Sequence, residues 1–197
     1  IFTTDLDFAN NASTFNKNLP KKEVIKGFTI NRTHVWFAYK LFYVNLGMYF
    51  QMKKEKHDII HTIGVRSFQS LIAAIISKKN KIPLIISDQG GLTTHPDLKK
   101  NNIIKKIMYK IQNPLIKFII NQTTKIIVPN EYEREIFLEY ATNKKIVVIK
   151  NGINLNELYE SKINFKVKYE IKNNFILFVG RFNKVKGIDI LLQSWAL

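Results

Sequence analysis

The chain has no cysteine among its 197 residues, which removes disulfides, thiolate metal sites and cysteine nucleophiles together. A reducing cytoplasm is compatible with that. Long apolar runs are missing too: no stretch of 18 or more apolar residues exists that could span a bilayer as a helix. The opening IFTTDLDFANN lacks the basic and apolar regions of a signal peptide. Acids are scarce, 15 Asp and Glu against 31 Lys and Arg, for a formal charge of +16. Such a surplus favours anionic partners, namely nucleic acid, a nucleotide or an acidic membrane face. Lys, Asn and Ile are abundant throughout, so a general compositional bias accounts for part of the charge. Nucleic acid is the least supported partner, because the RNP aromatic pattern, zinc-finger spacing and a clear helix-turn-helix are all missing. The Walker A pattern is missing as well, and no Asp or His cluster has metal-site spacing, so neither ATP hydrolysis nor a bound metal is expected.

What is present is enough for a core: 46% hydrophobic residues and only 23% charged ones. Ile1–Thr4 reads as a strand running into a loop, Asp5–Pro20, rich in Asn, Ser and Thr. Lys22–Ile30 reads as extended, with Val24, Ile25, Phe28 and Ile30 as core candidates. His34–Met52 is apolar and aromatic, and its length predicts a helix with a wide buried face; membrane contact is the weaker alternative. Asp58–His61 is a short strand, followed by Gly64 and a helix from Ser67 to Lys78 that turns Phe68, Leu71, Ile72, Ile75 and Ile76 inward. Ile82–Ser87 is a strand ending in Asp88–Leu92, where a glycine pair implies close approach by a ligand or another backbone.

Leu98–Asn121 is basic and amphipathic, and Pro114 is expected to break or kink it into two helices. Its lysines read as a solvated face, with an anionic membrane surface as the alternative. Lys125–Pro129 is a buried-type strand, and Asn130 caps a helix that carries acids in its first turn. Ile146–Ile149 is a further strand, and Asn151–Gly152 signals a turn. Strands alternating with helices at this pitch predict the α/β class, with a parallel, doubly wound sheet and right-handed crossovers.

The last stretch, Asn174–Leu197, is the most informative. Phe175–Val179 has the unbroken apolar character of a strand covered on both faces. Gly180 ends it, and a loop with Arg181, Lys184 and Lys186 follows. Gly187 opens a segment whose Ile188, Leu191, Leu192, Trp195 and Ala196 share one helical face. Cations are thereby expected at the carboxyl end of a strand, beside a helix N-terminus, where phosphates settle in open α/β sheets.

FVGRFNKVKGIDILLQSWA resembles the opening of the nucleotide-binding domain in GT-B-fold retaining glycosyltransferases of the GT4 type. Their pattern there is a hydrophobic strand, Gly-Arg, a Lys-Gly pair and a Leu-rich helix. Upstream, KIVVIKNGINLNELY resembles the strand and Asn-Gly turn that lead from their first domain into the second. Lys150 and Asn154 stand where the family commonly has Pro and Asp.

The resemblance implies a Rossmann-like acceptor-side domain over 1–153 without its first strand, a connector over 154–173, and the start of a nucleotide-sugar-binding domain over 174–197. The chain then reads as an internal piece, inactive by itself, with a glycine-rich acceptor loop and most of the second domain outside it. The implied reaction is transfer of a sugar from a nucleotide-diphosphate sugar to an acceptor hydroxyl, with retention. Arg181 and Lys186 take the role of holding the donor diphosphate, in the loop bounded by Gly180 and Gly187. Gln89 of the Gln89–Gly90–Gly91 turn occupies the place of a histidine that touches the transferred sugar in many relatives. An amide there can hydrogen-bond a hydroxyl but cannot act as acid or base. His61, in DIIH, is a further cleft candidate, and Arg66 a weaker one.

The family's paired catalytic glutamates are expected beyond Leu197; Glu131 and Glu139 have similar spacing but read as an exposed helix face. Implied partners are a nucleotide sugar, a glycan or lipid-linked acceptor, and an anionic membrane surface. Neither a metal cofactor nor nucleic acid is among them. The implied location is cytoplasmic, including a peripheral position on the inner membrane face. A non-catalytic nucleotide- or phosphate-binding α/β module and a GT-B-fold nucleotide-sugar epimerase are the competing readings. Glutamates at the family's spacing in the residues that follow would separate them from the transferase.

Overall fold

The computed structural model describes residues 1–7, 14–16, 18–39, 42–92, 103–156, 164–180, 182 and 186–195, and it divides into two units, Ile1–Lys150 and Asn151–Leu197.

In the first unit, β-branched runs make the strands and polar caps start the helices. The elements are β1 (Phe2–Thr4), β2 (Leu6–Asp7), β3 (Thr14–Phe15), β4 (Lys22–Ile25), β5 (Phe28–Thr33), β6 (Phe37–Tyr39), β7 (Phe42–Val44), α1 (Leu46–Lys54) and β8 (Ile60–Ile63). They continue with α2 (Phe68–Asn80), β9 (Leu84–Ser87), α3 (Ile103–Gln122), β10 (Lys125–Val128), α4 (Glu131–Leu138) and β11 (Ile146–Val148). The main sheet has the order β11-β10-β9-β8, all parallel, with Ile146, Ile126, Ile86 and Thr62 in one row. This is the Rossmann-like α/β class expected from the alternation of patterns.

Leu84, Ile86, Ile126 and Val128 are fully buried, covered by Ile72, Ala73, Ala74 and Ile76 of α2 and by Ile116, Ile119 and Ile120 of α3. Each such side chain contributes roughly 1.5–3 kcal/mol by leaving water. Ser67 starts α2 by accepting the Ser70 N–H at 3.1 Å, and Asn130 starts α4 by accepting the Glu133 N–H at 2.9 Å. Lys78 and Lys79 sit in the last turn of α2, where the helix dipole favours cations.

Several sequence expectations need correction. His34–Met52 is not one helix: it folds into the antiparallel pair β6–β7, and only from Leu46 does it become helical. Trp, Phe, Tyr and Val are strand formers, and Asn45 caps α1 by accepting the Met48 N–H at 3.2 Å. The expected loop Asp5–Pro20 contains the short pair β2–β3. Val24, Ile25 and Phe28 are exposed rather than core. They lie at the tip of the β4–β5 hairpin, whose two-residue turn Lys26–Gly27 has positive φ at both positions.

Helix α3 runs through Pro114 without dividing. A proline removes one ladder bond, and burial of Ile116, Ile119 and Ile120 just beyond it holds the helix in place. The buried stripe of α2 is centred on Ser70, Ala73, Ala74 and Ser77, so Ile75 emerges at its margin.

In the second unit, α5 (Phe165–Lys168) and α6 (Ile188–Trp195) are helical. Phe175–Val179 does not form the expected buried strand; Val179 is 85% exposed. A strand needs a neighbour to take its backbone hydrogen bonds, and no described strand of this unit lies beside it. Phe175 instead stacks on Phe165, with ring centroids 5.6 Å apart.

Candidate functional site

The carboxyl ends of parallel strands collect loops and helix starts, and in the first unit one side chain ties them together. Asp88, directly after β9, is 1% exposed. Its own N–H donates to Ile127 O at 2.9 Å. Its carboxylate accepts the Val65 N–H at 2.8 Å and the Gly91 N–H at 2.7 Å, joining the loop after β8 to the loop after β9. A Cβ at Gly91 would lie 2.8 Å from Asp88 Oδ2, so the close approach read from the glycine pair is made by this carboxylate. Gly90 adopts φ +80°, and Glu133, buried on α4, brings Oε1 to 3.7 Å from where a Cβ would stand. Gln89 is exposed at the same turn. Asp88 was the residue passed over in the sequence, although an acid before a glycine pair at a strand end is a signal for such a clamp.

His61 is the second residue of β8 rather than its carboxyl end. It is exposed, and its Nε2 lies 2.8 Å from Ser87 Oγ, the hydroxyl immediately before Asp88. The structure thus brings His61 to the last residue of β9, beside the Gln89–Gly91 turn. His61 also lines a cleft of about 400 Å³ with Phe2, Met52, His57, Ile60 and Gln69. Arg66 is half-buried beside Leu115 and Ile119 of α3, in a separate small cavity.

A second, more polar cleft of about 520 Å³ opens at the carboxyl ends of β1 and β5, lined by Asp5, Lys21, Arg32, Thr33, His34 and Gln51 among others. Asp5 organises it: Oδ1 accepts the Val35 N–H at 3.2 Å, and His34 Nδ1 donates to Oδ2 at 2.5 Å. Arg32 pairs with Glu23 and donates to Pro20 O at 3.0 Å. Neither Asp5 nor His34 stood out in the sequence, because the parallel pairing of β1 with β5 is what brings them together.

Glu131 and Glu139 lie on an exposed face, as expected. Glu131 forms an ion pair with Arg134 at 2.7 Å, and that hydrogen bond, then its charge, raises the guanidinium pKa. In the second unit Lys186 is exposed, and Gly187, with φ +66°, leads into α6. Gly180 packs against the ring of Phe178. Arg181 and Lys184 lie outside the described residues. Among the described residues no group of three or more His, Asp or Glu side chains is placed to hold a metal ion. None of the described helices is long and apolar enough to cross a membrane.

The model of Glycosyltransferase Family 4 matches residues 10–157. The chain belongs to glycosyltransferase family 4. The part of this family 4 chain that matches contains His61, Asp88 and the Gln89–Gly91 turn, and it ends before Gly180–Gly187. Two curated relatives agree. An uncharacterized glycosyltransferase of Methanocaldococcus jannaschii is 29% identical over 143 residues, 73% of this chain and 35% of the relative. A UDP-Gal:alpha-D-GlcNAc-diphosphoundecaprenol alpha-1,3-galactosyltransferase of Escherichia coli is 27% identical over 143 residues, 69% of this chain and 35% of the relative. The family 4 chain therefore spans about a third of the length of the curated relatives it matches.

Proposed function

We propose that the protein transfers a hexose from a nucleotide-diphosphate sugar to a hydroxyl of a lipid-linked glycan acceptor, with retention, on the cytoplasmic face of a membrane. The family match over residues 10–157 carries this reading. The relative whose name specifies a UDP-sugar donor and a diphosphoundecaprenol-linked acceptor supports the choice of substrates.

As the glycosidic bond breaks, negative charge builds on the departing diphosphate. Arg181 and Lys186, in the loop before α6, supply cations to stabilise it, and the helix N-terminus adds its dipole. No resident metal is needed for that chemistry. In the first unit the Asp88 clamp fixes the turn that presents Gln89, whose amide serves a sugar hydroxyl, with His61 close by through Ser87. The Asp5–His34 cleft offers hydrogen-bonding groups and cations suited to the polar head of the acceptor. The paired catalytic glutamates lie in sequence beyond Leu197.

The deciding experiment incubates the full-length protein with a panel of UDP- and GDP-hexoses and a polyisoprenyl-diphosphate sugar. Nucleoside diphosphate release is measured together with mass spectrometry of the extracted lipid, with and without EDTA. A lipid heavier by one hexose, formed equally with EDTA, is expected. Release of nucleoside diphosphate without glycosylated lipid would reject the acceptor; no release with any donor would reject the transferase.

A further inference from the structure

Trp36, Phe37, Leu46 and Phe50 are 68%, 59%, 42% and 60% exposed. Scattered apolar residues on a surface need no explanation, but these are neighbours by register and helical pitch. Phe37 pairs with Val44, and the Trp36 N–H donates to Val44 O at 2.9 Å, which sets Trp36 beside Asn45, the cap of α1. Leu46 follows that cap. Phe50 lies one turn further on, on the outer stripe of α1, while Met48 and Met52 face the core.

This edge is displayed from a fixed base. Val35, Tyr43 and Leu6 form a small core at the hairpin. Asn45, fully buried, donates through Nδ2 to Thr33 O at 3.1 Å and accepts the Thr33 hydroxyl at 2.6 Å. The aromatics are therefore held outward while buried side chains secure the elements that carry them.

The charge beside the patch is of one prevailing sign. Between His34 and Lys56 the sequence carries Lys40, Lys53, Lys54 and Lys56 against the single acid Glu55. Lys53 and Lys54 are exposed at the end of the α1 stripe. Trp and Phe beside lysines suit the headgroup boundary of a bilayer, where rings sit among acyl carbons and ammonium groups meet anionic lipid.

We propose that the β6–β7 hairpin and the outer stripe of α1 form a docking surface for an anionic lipid bilayer. The proposal rests on the membrane-face reading above and names the surface that makes the contact. Chain continuity from His34 to Trp36 places this surface next to the polar Asp5–His34 cleft. Attachment is peripheral, through rings at headgroup depth and lysines above them.

The test is cosedimentation of the full-length protein with phosphatidylcholine vesicles, with and without phosphatidylglycerol. It is paired with quenching of tryptophan fluorescence by brominated lipid, in the parent and in Trp36→Phe. Binding only to the phosphatidylglycerol vesicles, with a quenched component that disappears in Trp36→Phe, is expected. Trp36→Ser/Phe37→Ser and, separately, Phe50→Ser should each weaken binding by about tenfold or more, with unchanged thermal melts. Phe50→Ser leaves the hairpin intact, so a loss there is not a folding effect. Vesicle binding with no Trp36 quenching and no effect of these variants would overturn the docking surface and leave the membrane reading standing. No vesicle binding at all would overturn both, and would leave the patch to a protein partner.

Discussion

Asp88 accepts a hydrogen bond from the Gly91 N–H at 2.7 Å while also holding the Val65 N–H at 2.8 Å, so one buried carboxylate fixes two loops at the carboxyl edge of the sheet. Asp88→Ala leaves both N–H groups without an acceptor in a buried setting. We expect a loss of about 3 kcal/mol in urea unfolding. Asp88→Asn keeps one oxygen acceptor and should lose less. Equal stability of the Ala variant and the parent would show that the clamp is dispensable.

Gly91→Ala forces a methyl group against the same carboxylate, which calls for a loss of roughly 1–3 kcal/mol by overpacking. In the double variant with Asp88→Ala the obstacle is gone. The two losses should then be non-additive by about 1 kcal/mol or more. Strict additivity in the cycle would mean that the alanine is strained by its backbone and not by Asp88.

Asn45 joins β5 to the start of α1 through Thr33 and Met48. Asn45→Ala removes a helix cap and strands buried groups, so a loss of about 2 kcal/mol is expected. Asn45→Asp retains the cap acceptor but not the donor to Thr33 O, and it should fall between. A parent-like melting temperature for Asn45→Ala would contradict this.

Arg181→Glu and Lys186→Glu, made together in the full-length protein, should weaken nucleotide-sugar binding by about 100-fold or more, since each removes a charge-assisted contact worth roughly 1.5–3 kcal/mol. Titration calorimetry with the donor alone reads this without requiring turnover. Unchanged affinity would remove both residues from the donor site.

The elements with unambiguous local signals were legible in the chain. The Val- and Ile-rich strands β8–β11, the Ser67 and Asn130 caps, and the order of strands and helices follow from hydrophobic period and capping chemistry. So does the exposed character of Glu131 and Glu139. His34–Met52 was misread because a short apolar run satisfies both periods, and Asn45, which marks the change from strand to helix, stands in the middle of it. Phe175–Val179 has a strand's composition, yet pairing is a property of neighbours, and none is described within its unit.

By itself the sequence determined the α/β class, the run of alternating strands and helices, and the motifs that mark family 4, because each depends on residues close together along the chain. Only the tertiary structure decided that Asp88 reaches across to Val65 and Gly91, that Asp5 meets His34, and that Trp36 and Phe37 face outward from a fixed hairpin. Contacts between distant segments are set by which strand pairs with which, and a buried carboxylate finds its donors only once that pairing is made.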